Sequence, residues 1–467
     1  MIELPFVKKQ VCPWGTLILA ARQGFQGLIP RQVPCLVSAC LTLPLAPSFS
    51  KRTGGKRISP RHRVESVRIS FMTESQRICL IFYLQPIALG AWLPHIPGVQ
   101  TELGLSNSAL ALALIGGPIG TLTTLLVAGR LANWLGAKRI TLVWYPLFLI
   151  AMLLPFLSPN EWALMAALAL VGSTMSVLEL GLNVLADEYE ARTGHKIMSR
   201  AHGCWSFGLL SGTLIGSAVA GIGLEPLLAG ISIAVVVQAL VLPAIRRLPV
   251  AAPKDKSTDK TTGFRLPHPL LLGICVFTFG TTLVEGAVAD WAAVYLRDAF
   301  LAHPGLAGLG IAIFSLCLAS TRLVGDRLRQ HSSPGRLGQG LALIGLMGLF
   351  LIWWAPSVPV ALLGLGILGV GAALAFPLGV TAASSAPGPS AAANVAVLSF
   401  IALLGFLVGP LAIGPLADAF GIRTALMVMA PMIGLSLVLA PCLTRAQRLR
   451  SAEGGSGQGT PTPQEPR

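Results

Sequence analysis

Charged side chains are scarce in this sequence. Only 11% of its residues are Asp, Glu, Lys or Arg, whereas soluble globular domains carry roughly 25%. Hydrophobic residues make up 54% of the chain, and its mean hydropathy is +0.73. This deficit of charge excludes an ordinary soluble globular protein and predicts a polytopic membrane protein.

The alternation of polar and apolar residues that is typical of a transmembrane β-barrel is missing as well. The apolar runs are instead about 20 residues long, which is the length that crosses a bilayer as a helix. Because a helix satisfies its own backbone hydrogen bonds in lipid, these runs predict an all-α membrane protein.

Motifs of catalysis and of metal binding are also absent. The eight cysteines show no CxxC pair and no metal-ligand spacing, so they are interpreted as small core residues. The sequence has no G-x-x-x-x-G-K-[ST], no H-E-x-x-H and no G-x-S-x-G. We therefore expect no enzyme, no cofactor and no metal. ATP-driven transport is disfavoured unless a separate subunit supplies the ATPase.

The net charge of +15 is concentrated near the N-terminus. Residues 1–71 hold eleven Lys/Arg residues against Glu3 and Glu65, which is nine of the fifteen net charges. The apolar pieces of this leader are too short to span a bilayer. We interpret it as a basic, disordered tail on the cytoplasmic face rather than as a nucleic-acid site. The alternative is that translation begins at Met72, which would make the leader a start-site artefact.

Twelve apolar runs long enough to cross a bilayer follow Met72. They are predicted at residues 78–98, 108–130, 138–157, 161–185, 203–222, 226–245, 268–292, 305–323, 337–356, 358–381, 391–413 and 422–443. A polar linker at 248–267 divides them into an N-terminal six-helix bundle at 72–247 and a C-terminal one at 268–443. The tail at 444–467 is rich in Gly and Pro and is predicted to be disordered.

The Lys and Arg residues of the short loops predict the orientation, because cytoplasmic loops are richer in them. If both termini are cytoplasmic, the inner loops carry basic clusters such as Lys138 and Arg139. The outer loops then carry only Arg297 and Arg423. We therefore expect both termini in the cytoplasm.

An internal repeat relates the two predicted bundles. A shift of 193 positions superposes Gly212, Gly216 and Gly221 on Gly405, Gly409 and Gly414. The same shift superposes Asn133-Trp134-Leu135 on Asp326-Arg327-Leu328. Because two unrelated parts of the sequence repeat with the same shift, we predict two pseudo-symmetric, parallel bundles, with small residues where helices contact each other.

The loop GRLANWLGAKR, Gly129 to Arg139, resembles the signature that the major facilitator superfamily carries between its second and third helices. That signature reads Gly-x-Leu-x-Asp-Arg-x-Gly-x-Arg-Arg, and its half-repeat here is VGDRLRQ. The chain departs from it at Asn133, where Asp is usual, and at Trp134, where Arg or Lys is usual. The resemblance implies the major facilitator fold with a cytoplasmic gate. The implied gate residues of the two loops are Gly129, Asn133, Gly136, Arg139, Asp326 and Arg327.

Within that superfamily, residues 78–443 are most similar to the bacterial fucose-permease-like branch. The similarity is carried by the segments GAWLPHIPG, LELGLN, IMSRAHGCWSFG and EGAVADWAAVYL. In that branch a Glu of span four and the Asn four residues later carry proton coupling and sugar contact. The resemblance implies these roles for Glu179 and Asn183. Sugar permeases of the branch also place an Asp in span one, where this chain has only Gln85 and His95.

Glu179 stands out without the resemblance, because it is the single charge of an apolar span. Gly172, Ser176, Glu179 and Asn183 are spaced four, three and four apart, so they form one stripe on a helix. Such a stripe must face protein or water rather than lipid. Glu285 gives span seven a carboxylate of its own. Since a carboxylate in a low-dielectric cavity can take up and release protons near neutral pH, we predict that both acids couple transport to protons.

Other polar and aromatic residues of the spans are candidates for contact with a solute, by hydrogen bonding or stacking. These candidates are Gln85, Trp92, His95 and Asn394. His202 and Trp205, at the start of span five, are candidates for the cytoplasmic gate, and anchoring at the membrane interface is the alternative. For each of these residues a structural role in helix packing stays open.

The sequence thus predicts a secondary transporter of a small polar, sugar-like solute, coupled to protons and working by alternating access. We expect a monomer in the bacterial inner membrane whose partners are solute, protons and lipid, not nucleic acid. One alternative is a proton antiporter that exports drugs or metabolites, against which the low aromatic content of 7% weighs. Another is a membrane sensor that kept the scaffold but lost transport, which the departures at Asn133 and Trp134 suggest.

Overall fold

The computed structural model of this protein describes residues 72–249, 267–388 and 390–455. The side chains of Asn133 and Asp326 fall outside the description. So do the predicted leader, most of the linker and the end of the tail. The regular structure of the described ranges is helical throughout, which confirms the predicted all-α class.

Within the described ranges, twelve helical segments are long and apolar enough to cross a membrane. They are α1 (Glu74–Glu102), α2 (Asn107–Ala132), α3 (Ala137–Leu157), α4 (Glu161–Thr193), α5 (Met198–Gly221), α6 (Pro226–Arg246), α7 (Pro269–Phe300), α8 (Pro304–Gly325), α9 (Pro334–Trp354), α10 (Val358–Ala383), α11 (Ala393–Phe420) and α12 (Ile422–Leu449). The predicted number of spans is therefore confirmed.

Several helices continue beyond the apolar run that predicts them. The α4 helix extends to Thr193, although its last two turns read DEYEART, and Gly194 ends it with φ 72°. Such polar turns leave the lipid but remain helical, and a glycine at the C-terminal cap adopts the left-handed conformation without a Cβ penalty. The same physics explains why a helix runs from Pro441 to Gly455, where disorder was expected after Thr444.

Local capping fixes where several spans begin. Thr73 forms a capping box with Gln76 at the start of α1: the Gln76 N–H donates to the Thr73 hydroxyl, and the Thr73 N–H donates to the Gln76 side chain. The side chains of Ser106 and Asn160 accept from the first turns of α2 and α4. Each cap satisfies backbone donors that a helix cannot satisfy itself.

The two halves of the chain pack their helices in the same pattern. In the first half, α1 packs against α5 and α6, α2 packs against α4, and α3 packs against α4 and α6. In the second half the equivalent pairs are α7 with α11 and α12, α8 with α10, and α9 with α10 and α12. The fold therefore consists of two pseudo-symmetric six-helix bundles.

The repeated glycines lie where helices cross closely. A Cβ at Gly212 would collide with the backbone of Ile87 on α1, and a Cβ at Gly405 would lie 2.8 Å from the Leu283 nitrogen on α7. These two glycines are related by the 193-residue shift. Because lipid provides no hydrophobic drive between helices, close backbone approach of this kind is a main source of helix association.

The two ends of the bundle differ in how the halves meet. We call the end where α1 begins at Glu74 the termini face, and the end where α1 stops at Glu102 the far face. The halves touch through α2 with α11, α5 with α8 and α1 with α7. Gly221 of α5 packs against Gly305 at the far face, and its repeat partner Gly414 packs against Asn107 there.

Candidate functional site

Two hydrogen bonds join polar side chains inside the first half. The Trp205 indole N–H donates to the Gln85 side-chain oxygen over 2.6 Å. The His202 Nε2 lies 3.0 Å from the Asn183 Oδ1. The amide nitrogen of the fully buried Gln85 has no partner among the described residues. The two predicted gate residues of α5 thus meet two predicted solute residues of α1 and α4.

Glu179 lies close to the middle of α4, one helical turn before Asn183. The exposed side of this helix carries Trp162, Ala166 and Leu170, and Leu170 is 52% exposed. Nine residues span two and a half helical turns, so Glu179 lies on the side opposite Leu170. Its carboxyl group therefore points into the protein rather than toward lipid.

The Glu179 carboxyl group has no hydrogen-bond or ion-pair partner within the described part of the chain. It is half-buried, between the tightly packed and the exposed residues of its helix. An unpaired carboxylate is costly away from water, and binding a proton removes that cost. This group can therefore change its charge without breaking an internal contact.

Glu285 in α7 is held differently. Its carboxylate accepts a hydrogen bond of 2.8 Å from Arg322 of α8, and the Arg322 Nε also donates to the Ala373 carbonyl over 2.9 Å. Arg322 lies in the last turn of α8, near its end at Gly325. A paired carboxylate is stabilised in its charged form.

One acid that the sequence did not mark as a site residue is Asp290 of α7. It is half-buried, five residues after Glu285, and it has no partner in the described ranges. Its place near the end of the predicted span at 268–292 is also typical of an interfacial residue. The indole N–H of the adjacent Trp291 is buried and has no partner among described residues either. Asp290 therefore resembles Glu179 in lacking a fixed countercharge.

Trp92 and His95 lie apart from these groups. Both rings contact Phe156, at ring-centre distances of 5.1 and 5.7 Å, beside a small apolar gap between α1, α3, α5 and α6. The 3-10 turn Leu93–His95 redirects the end of α1 here. This placement favours packing within the first half over contact with a central solute.

Asn394 lies near the beginning of its span rather than at its middle. It belongs to the first turn of the helix Ala391–Phe420, and its buried amide donates to the carbonyls of Ala383 and Ala386, over 3.2 and 2.8 Å. These bonds satisfy backbone acceptors at the end of α10. The structure therefore favours a helix-capping role over solute contact for Asn394.

The predicted gate loops lie at the termini face. Arg139 and Arg327 are both exposed, and Gly136 has φ 77°, a conformation that suits glycine. No atom lies within 4 Å of a Cβ added at Gly129. Among the side chains of these loops, Lys138 donates to backbone carbonyls at the end of α6, and Arg329 donates to the Thr381 hydroxyl over 3.1 Å.

The far face, in contrast, is joined by hydrogen bonds between the halves. The Asp418 carboxylate of α11 accepts from the backbone N–H groups of Asn107 and Ser108 over 2.9 and 2.8 Å, at the start of α2. Arg297 of α7 donates to the Pro97 carbonyl and the Gln100 side chain, each over 2.7 Å. We call these contacts the Asp418 latch and the Arg297 latch. The described contacts thus show a protein that is closed at its far face.

Comparison with known proteins agrees with this architecture. The sequence pattern of the Major Facilitator Superfamily matches residues 78–397. An uncharacterized MFS-type transporter of Yersinia pestis is 27% identical over 366 residues, which cover 78% of this chain and 94% of that relative.

Two solved structures share the fold. A mutant of the nucleoside transporter NupG matches with a TM-score of 0.67 and 13% identity, covering 80% of this chain and 100% of that one. A variant of the E. coli fucose:proton symporter FucP matches with a TM-score of 0.55 and 17% identity, covering 82% and 99%. Identities this low show a common fold alone. The sequence match over most of the helical region nevertheless confirms the predicted family: the chain belongs to the Major Facilitator Superfamily and is a multi-pass membrane transporter, not an enzyme.

Proposed function

We propose that this transporter is a symporter that moves a small, polar, sugar-like solute together with protons by alternating access. The observation that carries the proposal is the Glu179 carboxyl group, half-buried near the middle of the α4 span and without a partner among the described residues. An intramembrane acid of this kind is a functional group by default, because its burial is costly. We assign proton binding to Glu179.

The neighbouring side chains support a polar, uncharged solute. Asn183, Gln85, His202 and Trp205 offer amide, imidazole and indole groups, which can exchange their mutual hydrogen bonds for bonds to hydroxyl groups. The charge of Arg322 is already balanced by Glu285. A neutral, hydroxyl-rich solute therefore fits these groups better than an ion does.

Alternating access then requires the far face to open and the termini face to close. Opening breaks the Asp418 and Arg297 latches, and solute and proton enter from that side. The contacts described above represent the opposite state, from which both are released at the termini face. Such rocking of two bundles about a central site is a general mechanism of inverted- and parallel-repeat transporters.

We further propose that the termini face is cytoplasmic and that the membrane is the bacterial inner membrane. Lys138, Arg192 and Arg200 lie at the termini face, whereas Arg297 and Arg423 lie at the far face. Cytoplasmic loops carry the excess of Lys and Arg. A reporter enzyme that is active only in the cytoplasm should be active when it is fused after residue 467. If that fusion is inactive and a fusion to a reporter that is active only in the periplasm is active, the orientation is the reverse.

The test uses the full chain in liposomes with a pH-sensitive dye inside. Neutral sugars, sugar acids and nucleosides are added in turn, and proton entry identifies a transported solute. With that solute, Glu179→Gln should still exchange labelled for unlabelled solute but should not accumulate it against a gradient. Glu161→Gln, which removes an acid from the first turn of the same helix, is the matched control and should accumulate solute normally.

Three results would contradict the proposal. If Glu179→Gln accumulates solute in a proton gradient at the rate of the parent protein, the Glu179 carboxyl group is not needed for proton coupling. Proton movement in the direction opposite to solute would make the protein an antiporter. Normal ligand binding with no flux of any bound solute would indicate the sensor.

A further inference from the structure

A basic pocket opens at the termini face between the start of α9 and the end of α12. It has a volume of about 540 Å³, and three arginines line it: Arg336 from α9, and Arg445 and Arg448 from α12. Gln339 and Thr444 add polar groups, and none of the described residues that line it is acidic. The pocket is separate from the site between the two halves, because both of its walls belong to the second half.

The three guanidinium groups have no countercharge in the described part of the chain. Arg336, Arg445 and Arg448 are exposed, and none of them forms a hydrogen bond or ion pair there. Three like charges around one pocket repel each other, so the arrangement favours an anion between them. Guanidinium groups are well suited to phosphate, which they bind with two parallel hydrogen bonds.

The equivalent corner of the first half is closed by its own chain. There Lys138 at the start of α3 donates to the carbonyl of Arg246 over 3.0 Å and also to the carbonyl of Leu248, at the end of α6. In the second half the Gly335 N–H donates to the Thr444 hydroxyl over 2.9 Å, which joins the helices but leaves the arginines free. The two halves share one scaffold but differ at this corner, so the basic pocket is a feature of the second half and not of the repeat.

Apolar stripes lead from the pocket into the membrane region. On α9, Leu343, Met347 and Phe350 follow Arg336 at spacings of seven, four and three residues, and each is more than half exposed. On α12, Val438 and Leu435 precede Arg445 at spacings of seven and three, and both are exposed. The α9 spacings keep its stripe on the helix face that carries Arg336. On α12 both apolar residues lie just before Pro441, where the helical segment that carries Arg445 begins. An amphiphile with an anionic head can therefore contact the arginines and both stripes at once.

We propose that the basic pocket of Arg336, Arg445 and Arg448 binds the phosphate group of an anionic phospholipid whose acyl chain lies along the α9 and α12 stripes. A soluble phosphate ion has the same charge chemistry, but it makes no use of the apolar stripes. The pocket lies at the ends of two spanning helices, which is the level of lipid headgroups.

The experiment titrates the purified full chain in detergent with phosphatidylglycerol and counts bound lipid by native mass spectrometry. The test variant is Arg336→Gln/Arg445→Gln/Arg448→Gln. The matched control, Arg130→Gln/Arg246→Gln/Arg247→Gln, removes equal charge from exposed arginines of the same face outside the pocket. Phosphatidylcholine and inorganic phosphate are added in separate titrations.

One phosphatidylglycerol should bind the parent protein and the control equally, and the test variant about a hundredfold more weakly, since each arginine near an anionic headgroup contributes roughly fivefold. Neither phosphatidylcholine nor millimolar phosphate should displace it. Equal binding by the test variant and the control would overturn the proposal. Displacement by inorganic phosphate would overturn it in favour of a soluble anion. If the triple variant does not fold, Arg445→Gln alone should weaken binding roughly fivefold.

Discussion

The Asp418 latch gives the sharpest test of how this transporter changes state. Asp418 of the second half accepts two backbone N–H groups and the Ser108 hydroxyl at the start of α2 in the first half. A carboxylate at a helix N-terminus satisfies orphan donors and complements the helix dipole. Because these bonds join the halves at the far face, they stabilise only the state in which that face is closed.

The size of the effect follows from the chemistry of a helix cap. Removing an N-terminal cap costs about 0.5–2 kcal/mol, and the dipole adds roughly 0.3–1 kcal/mol for a charge near the surface. Asp418 is exposed and Ser106 still caps α2, so the lower part of that range applies. We expect Asp418→Ala to favour the far-open state by about 1–1.5 kcal/mol, which is roughly a fivefold to tenfold change in the ratio of states.

Spin labels on the far-face loops of the two halves measure this change. Leu224→Cys and Ser357→Cys, in a background whose native cysteines are replaced, place one label on each half. Pulsed dipolar spectroscopy should show a larger share of long distances in Asp418→Ala. Glu225→Ala is the matched control, because Glu225 caps α6 within the first half alone. An unchanged distance distribution, or an equal change in the control, would refute the latch.

Two further predictions concern stability, both measured by thermal unfolding in detergent. Arg322→Gln leaves the partly buried Glu285 carboxylate unpaired and should destabilise the protein by about 1–3 kcal/mol after allowance for solvent exposure. Adding Glu285→Gln should restore part of the lost stability. A double variant that is less stable than Arg322→Gln alone would contradict this. Gly208→Ala forces a Cβ against the Tyr83 carbonyl and should cost about 1–3 kcal/mol. Gly203→Ala, with open space around the added Cβ, should be nearly neutral, and equal effects of the two would exclude the close helix crossing.

The scaffold was largely predictable from the sequence, because length and hydropathy alone determine which segments can cross a bilayer. The repeat of glycines also predicted which helices approach closely, since only small residues permit backbones to meet. The ends of α4 and α7 were less predictable. Their polar final turns leave the apolar run, so hydropathy cannot show that the helix continues.

The contacts of the site were predictable only in part. Helical spacing identified Glu179 and Asn183 as one stripe, and a helix indeed carries both. Spacing cannot identify partners on other helices, so the ion pair of Glu285 with Arg322 was missed. His95 is the last residue of a 3-10 turn with three residues per turn, which changes the direction of side chains relative to the α-helical pattern.

The scaffold of this transporter is symmetric, but its acids are not. The shift that superposes the glycines brings Glu179 onto Ala372 and Glu285 onto Trp92, so neither carboxylate has a repeat partner. Glu285 is neutralised by Arg322, whereas Glu179 has no countercharge in the described part of the chain. Only a group that can change its charge at little cost can link proton binding to a change of state, because a ligand shifts an equilibrium only through its differential affinity for the two states. Coupling is therefore expected to depend on α4, and Glu285→Gln should alter stability more than the ability to accumulate solute.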